Sequence, residues 1–306
     1  MFMPFPGEAT ALATVLCWTC SVQFFEAAAR RAGSVPVNII RLFVALVLFS
    51  ILLLCRDGHP FPSHFPGHAW FFLSLSGIVG FFIGDIFLFK ALVELGPRVA
   101  MLIQSLAAPA ATIIGWLCLD EVYLLHQWAG MAIALAGVAV VIFERVKKTG
   151  RPAGPSSRKI TPSGVGIGLV GMLGQAGGMV LSKVGMQTGT GYLDAFSSTQ
   201  IRAIAAFACF VLFFTVTGRW QDVRTALADT KAVVFTAMGA GFGPFAGVSL
   251  SLLTLHYLTT GVASTFFALV PITIIPFSIF LHKERVSVRA VAGAVVAVFG
   301  VSLLAV

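Results

Sequence analysis

LDEVYLLHQWAGMAIALAGVAVVIF, Leu119 to Phe143, is an acidic turn that runs into an apolar helix. Its glutamate, Glu121, stands nine residues before Gly130, and Gly137 follows seven later. The same order returns in HKERVSVRAVAGAVVAVFGVSLL, His282 to Leu304, where Glu284, Gly293 and Gly300 keep both spacings. The offset between the runs is 163 residues, and it holds without a gap elsewhere. Gly80 meets Gly243, Gly84 meets Gly247, and Val99-Ala100 meets Val262-Ala263. Upstream, after small loop shifts, Arg41 pairs with Arg202 and Glu26 with Lys183. Apolar helices share letters by chance, but glycines and a loop glutamate in one register are harder to obtain that way. The chain therefore reads as a duplicated unit.

Composition says what kind of unit. The 306 residues are 58% hydrophobic and only 10% charged, with a mean hydropathy of +0.96, whereas soluble domains carry about 25% charged residues. A soluble enzyme is excluded. Period-2 alternation is absent, which excludes a β-barrel, and an open sheet edge cannot be satisfied in lipid. The fold class expected is an all-α integral membrane protein. Ten apolar segments can be marked: Glu8–Ala29, Pro36–Cys55, Ala69–Leu95, Val99–Leu119, Tyr123–Phe143, Gly164–Met186, Ala195–Thr217, Ala232–Leu258, Val262–Leu281 and Val286–Val306. Each is close to the ~20 residues a bilayer span requires. The start, MFMPFPGEAT, has neither a basic leader nor a small-residue cleavage site, so the first helix is expected to be retained.

One segment is linker-like: RVKKTGRPAGPSSRKITP, Arg145 to Pro162, basic and rich in Pro, Gly and Ser. It divides the chain into a first repeat (1–144), a basic linker (145–163) and a second repeat (164–306). Five spans per half force the second half to enter the membrane upside down. Ten helices in two inverted five-helix repeats is the architecture of many secondary transporters.

The net charge of +8 follows from topology, and no nucleic-acid partner is implied. Loops after odd-numbered spans hold fifteen Lys and Arg residues, against Arg56 alone on the other side. Without the central linker the ratio stays at nine to one. The positive-inside rule puts the odd loops in the cytoplasm, so both termini are expected outside a plasma or inner membrane.

The Glu-turn-Gly-Gly run at Glu121, Gly130 and Gly137, repeated at Glu284, Gly293 and Gly300, resembles the EamA family of the drug/metabolite transporter superfamily. The likeness covers nearly the whole chain as two EamA units. It implies ten helices, alternating access, and export or uptake of small polar metabolites such as amino acids. It also implies cytoplasmic termini, opposite to the loop charges, which are followed here because they belong to this chain.

Ionisable residues within a span cost about 2.5–3.5 kcal/mol each by insertion scales and mark function by default. The set here is Glu26, Arg41, Asp85, Lys90, Lys183 and Arg202. Glu26, Arg41 and Lys183 lie near helix ends and can snorkel. Asp85 sits mid-span with no route to water except a cavity. Lys90, five residues on, stacks poorly with Asp85 and better with Glu94 at i+4. That leaves Asp85 seeking a donor from another helix, Arg41 or Gln104. With Gln175 of the sixth span, these residues form the expected substrate-binding set. The arginines would receive a carboxylate or phosphate, and Asp85 an amine or a proton. Gly77, Gly80 and Gly84 on one stripe, and the cluster Gly239–Gly247 around Pro244, permit close helix approach. Pro109, Pro271 and Pro276 are expected to kink their spans.

Other motifs carry less. Cys17-Trp18-Thr19-Cys20 imitates a redox CxxC but lies inside an apolar helix, which makes structural thiols the better reading. His59, His64 and His68 are separated by prolines, a poor spacing for a metal, and no metal or cofactor is expected. There is no P-loop, HExxH or GxSxG. The function expected is a secondary transporter, an exporter of a small polar metabolite such as an amino acid. Its partners are that substrate and the bilayer, with proton coupling and the choice between monomer and homodimer left open. The alternative is a membrane-embedded enzyme acting on a lipid or lipid phosphate.

Overall fold

The computed structural model describes residues 5–95, 100, 103–148, 161–189, 191–270, 272–273 and 288–304. Its helices in chain order are α1 (Pro6–Ala32), α2 (Ser34–Asp57), α3 (Gly67–Ser76), a π-helical segment (Gly77–Gly84), α4 (Asp85–Leu95), α5 (Ala107–Leu119) and α6 (Leu125–Lys148). There follow α7 (Pro162–Met186), α8 (Ala195–Thr217), α9 (Trp220–Ala228), α10 (Thr230–Ala240), a second π-helical segment (Gly241–Gly247), α11 (Val248–Thr254), α12 (Thr260–Phe267) and α13 (Val288–Ser302). Among the described residues six helices are long and apolar enough to cross a membrane, and shorter apolar helices accompany them. The protein is a mostly helical, multi-pass membrane protein.

Local chemistry sets the helix ends. Pro6 opens α1 at a position whose N–H would be unpaired in any case. Gly58 and Gly218 close α2 and α8 in the left-handed conformation, at φ 74° and 66°, which a Cβ would disfavour. Asp194 caps α8 by accepting from the Ser197 amide at 2.8 Å. Pro109 lies in the first turn of α5, where a missing N–H costs little. Its ring disfavours a helical turn at the carbonyl four residues back, and a turn interrupts the helix at Leu106, whose amide bonds Ile103 at 3.0 Å. Pro271 and Pro276 lie outside the described residues.

Two elements have no counterpart in the apolar pattern. The amphipathic helix α9 buries Val223 and Ala226. A short antiparallel hairpin pairs Gln187 with Tyr192 and Thr188 with Gly191 between α7 and α8.

The chain forms two compact units that cut across the sequence halves. The first comprises residues 1–83 and 177–257, the second 84–176 and 258–306. In the second unit, α6 and α13 meet along glycines. A Cβ on Gly130 would lie 2.7 Å from the Gly300 carbonyl oxygen, and one on Gly293 would lie 3.0 Å from that of Gly137. A Cβ on Gly300 would collide with the Ala134 amide, and one on Gly137 with that of Ala297. Low numbers on one helix thus face high numbers on the other, so the pair is antiparallel, with backbones as close as small residues permit.

In the first unit, α3 packs on α8 and α7 while α10 packs on α1. Ser76 of α3 bonds Ser182 and the Gly178 carbonyl of α7, both at 2.6 Å. A Cβ on Gly178 would lie 2.9 Å from Gly80 Cα. On the other pair, a Cβ on Gly239 would meet the Phe25 ring at 2.6 Å, and one on Gly243 would meet Phe25 at 3.0 Å and Ser21 at 3.3 Å.

Candidate functional site

The π-helical segments occupy matching places, since 163 residues separate Gly84 from Gly247 and Gly80 from Gly243. A π-turn holds one residue more than an α-turn and leaves the ladder irregular, which is why such turns gather at functional positions. Asp85 follows the first segment directly and opens α4.

Asp85 is only 7% exposed. Its Oδ1 accepts a hydrogen bond from the Gln175 side-chain amide of α7 at 2.8 Å. The sequence called for a donor from another helix, such as Arg41 or Gln104, and Gln175 on α7 is one donor that the structure shows. The approach depends on Gly171, where a Cβ would sit 2.8 Å from the Leu88 amide nitrogen. Gln104 lies in the helical turn before Leu106, and its Oε1 is buried with no hydrogen-bond partner among the described residues. Lys90 stands apart from this pair. Its side chain is 56% exposed, and its ammonium lies 3.9 Å from Glu94, the i+4 partner expected.

The site has a counterpart that lacks its chemistry. The register that pairs Glu26 with Lys183 also pairs Trp18 with Gln175, and the 163-residue offset pairs Val248 with Asp85. A Cβ on Gly247, the residue before Val248, would lie 2.6–2.7 Å from the Trp18 indole. In one repeat the position holds a carboxylate and an amide, and in the other a valine and a tryptophan.

In the first unit three cations are drawn into the helix bundle. Arg202 of α8 is 5% exposed, and its guanidinium lies 4.5 Å from the centre of the Phe81 ring. Arg41 of α2 lies 5.3 Å from that of Phe25. A cation over a ring face gains about 2 kcal/mol when desolvated, which lowers the cost of keeping a guanidinium among apolar helices. Gly77 makes room, because a Cβ there would collide with the Arg202 backbone. Lys183 of α7 is 6% exposed. Glu26 belongs to α1, but its side chain lies outside the described residues. The arrangement therefore distributes the expected set, with Arg41, Lys183 and Arg202 in one unit and Asp85, Lys90, Gln104 and Gln175 in the other.

The motif glutamate has a role that its spacing alone did not reveal. Asp120 ends α5 at φ 52°, turning the chain so that Glu121 reaches the start of α12. The Glu121 carboxylate accepts from the Thr260 amide at 2.9 and 3.0 Å, from the Thr260 hydroxyl at 2.5 Å and from the Tyr123 hydroxyl at 2.5 Å. Tyr123 in turn accepts from the Gly261 amide at 3.1 Å. Burial and the Glu121 hydrogen bond push the Tyr123 phenol up to about 12. A carboxylate on the first amides of a helix is a charge-assisted cap set on the positive end of the helix dipole. The copy of Glu121, Glu284, lies outside the described residues.

The EamA-like transporter family matches residues 5–143 and 162–306. The chain belongs to that family. A solved structure titled only "Crystal structure of protein" is similar in fold, with a TM-score of 0.63 at 16% identity, over 97% of this chain and 96% of the other. Among curated proteins, none matches. For this EamA chain, transport across a membrane follows from the family, and the lipid-enzyme alternative gains no support.

Several further ionisable groups among the described residues lie at helix ends. Arg56 holds Asp194 through two 3.0 Å bonds. Burial pushes the Asp194 carboxyl upward, but the Arg56 and Ser197 hydrogen bonds outweigh it and hold the group below its ordinary range. His64 and His68 pack on Phe65 and Phe72. Among the described residues no three His, Cys, Asp or Glu side chains are grouped to hold a metal.

Proposed function

We propose that this chain is a secondary transporter, an exporter of a small polar metabolite such as an amino acid, working by alternating access. Its ten helices would form two inverted five-helix repeats. The glycine seam supports the inversion. If residue i of one repeat contacts the copy of j, a two-fold axis requires j to contact the copy of i. Gly130 contacts Gly300, the copy of Gly137, and Gly137 contacts Gly293, the copy of Gly130. The contact of Gly178 with Gly80 and that of Ser21 with Gly243 obey the same relation. Because α6 and α13 are antiparallel, the axis lies across them and inverts one repeat relative to the other.

The single observation that carries the substrate reading is the buried Asp85 carboxylate with its Gln175 donor, a pair present in one repeat and absent from the other. A polar pair that the fold needed would be expected in both copies. Asp85, with Gln175, is assigned to the amine of the substrate, and Arg202, Arg41, Lys183, Glu26, Lys90 and Gln104 complete the candidate set. The experiment is counterflow in proteoliposomes: vesicles preloaded with each amino acid should accumulate the labelled form transiently and unchanged. Chemical conversion of the label would instead indicate an enzyme.

Loop charge further supports a plasma or inner membrane location with both termini outside. Alkaline phosphatase fused to the C-terminus should be active and a fluorescent protein there dark; the reverse pattern defeats this orientation.

A further inference from the structure

Helix α9 links α8 to α10 within the first compact unit, and its nine residues sort by face. Val223 and Ala226 are buried where α9 packs on α1, α2 and α10. Beside them Trp220, Arg224 and Leu227 stand at i, i+4 and i+7, within an arc of about 60°. All three are exposed, Leu227 by 53% and Trp220 by 36%. The Trp220 ring leans on Phe214, with ring centres 5.7 Å apart, and its Nε1 donates to the Thr215 hydroxyl at 3.2 Å. The apolar arc of α9 is thus half covered by protein, and its open half is bordered by an arginine.

The next helix carries a similar order along its axis. Lys231, in the first turn of α10, heads a stripe of exposed apolar side chains at Val234, Met238 and Phe242. From Lys231 to Phe242 the rise is about 16 Å, close to one leaflet's half of the ~30 Å hydrocarbon core. The carboxylates of this region are already held. Asp222 pairs with Arg219 at 2.7 Å, and Asp229 with Arg31 of α1 at 2.8 Å. The Arg224 guanidinium and the Lys231 ammonium make no ion pair or hydrogen bond among the described residues. Two positive charges are left over beside two open apolar surfaces.

We propose that α9 and the start of α10 form a site for one anionic phospholipid of the bilayer. Arg224 and Lys231 receive its phosphate. Trp220 and Leu227 rest at the level where headgroup meets acyl chain, and one acyl chain runs down Val234, Met238 and Phe242. Each part matches that occupant. Tryptophan favours the membrane interface because its ring is apolar and its N–H polar. A helix whose apolar face is bordered by basic residues lies in that plane, and cations there are drawn to anionic headgroups. A soluble anion would engage the two cations but leave both apolar surfaces uncovered. The inference needs only that the chain spans a bilayer, and it is independent of what is transported. With the orientation proposed above, the site faces the cytoplasmic leaflet, where anionic lipid is concentrated.

The first test is native mass spectrometry of the full chain in detergent, given equal amounts of a phosphatidylglycerol and a phosphatidylcholine with the same acyl chains. The wild type should retain the anionic lipid in preference. Arg224→Gln and Lys231→Gln should each cut that preference roughly fivefold, with the size-exclusion profile unchanged. Adding Thr225→Arg to Arg224→Gln moves the charge about 100° round α9, onto its polar face, and should not restore the preference. An unchanged preference when both cations are replaced, or its restoration by Thr225→Arg, overturns the site. The second test reads depth in nanodiscs. Trp220 emission, taken as the difference between wild type and Trp220→Phe, should be quenched more by lipids brominated near the headgroup than by lipids brominated at the chain end. Emission that no brominated lipid quenches overturns the placement. Shielding of Trp220 in particles with the mass of two chains assigns the face to a second copy and overturns it as well.

Discussion

Two matched junctions of this chain share one pattern of glycines and π-turns and differ in the side chain that follows it. At the first, a π-helical segment ends at Gly84 and delivers Asp85 to Gln175. At the second, it ends at Gly247, which lies against Trp18, and Val248 follows. The glycines, the π-turns and the close helix approach are common to both, so they belong to the fold. The carboxylate and its amide occur once, so the fold can form that junction without them. Retaining a buried ionisable group where a valine serves equally well costs stability, and a substrate that needs the charge would explain why it persists.

The sequence made the scaffold legible for the same reason. Apolar runs of bilayer length marked the helices, and the 163-residue register located both glycine seams. Hydropathy cannot show a π-turn, because Gly77–Gly84 reads as any other apolar run. The donor to Asp85 was hidden for a related reason: Gln175 lies 90 residues away, and only helix packing brings it within 2.8 Å. The compact units were also illegible, since they exchange segments between halves that sequence spacing can only treat as contiguous. The motif glutamate was visible, but its use as a cap depended on the αL turn at Asp120.

The largest effect should come from equalising the two junctions. Asp85→Val copies the second junction into the first, and Asp85→Asn removes only the charge. Both should abolish transport while leaving folded protein in the membrane, as read by counterflow and by size-exclusion profile. Val248→Ala at the second junction should leave transport near wild type. Equal sensitivity at Asp85 and Val248 would mean that the junctions do the same work, and the comparison would fail.

Steric tests at glycines of the two close approaches should separate the junctions by kind of neighbour. Overpacking costs about 1–3 kcal/mol. At Gly178 the added methyl meets backbone, Gly80 Cα at 2.9 Å, which cannot rotate away. At Gly243 it meets the Phe25 ring at 3.0 Å, a side chain that can shift. Gly178→Ala should therefore lower the thermal midpoint in detergent more than Gly243→Ala. Gly166→Ala, which meets nothing within 4 Å, should be tolerated.

Glu121→Gln asks whether the copies also share a helix cap. The substitution keeps the shape, but removes the charge from a carboxylate that accepts from Thr260 and Tyr123 and places an amide donor among donors. A buried group left unsatisfied costs about 1–3 kcal/mol. The thermal midpoint should fall, and the Tyr123 phenol should titrate lower once its anionic neighbour is gone. If the repeats use one device, Glu284→Gln should lower the midpoint by a similar amount; a silent Glu284→Gln would confine the device to the first repeat.

The smallest effect should separate the two helices that carry the paired arginines. Helix α2, which bears Arg41, begins at Gly33 with no side-chain cap. Helix α8, which bears Arg202, begins at Asp194, whose carboxylate takes the Ser197 amide and hydroxyl at 2.8 Å. The cap alone is worth about 1 kcal/mol, and its ion pair with Arg56 is partly exposed and adds little. Because the native carboxyl is held below its ordinary range, the unfolded chain binds the proton more readily than the folded one. The stabilisation is therefore complete above the unfolded carboxylate value, ~4, and is lost as pH falls through the lower native one. Asp194→Ala should lower the thermal midpoint at pH 7 and bring it closer to wild type in acid. A difference that stayed constant from pH 7 down to pH 3 would mean that the carboxylate is not the group holding the start of α8.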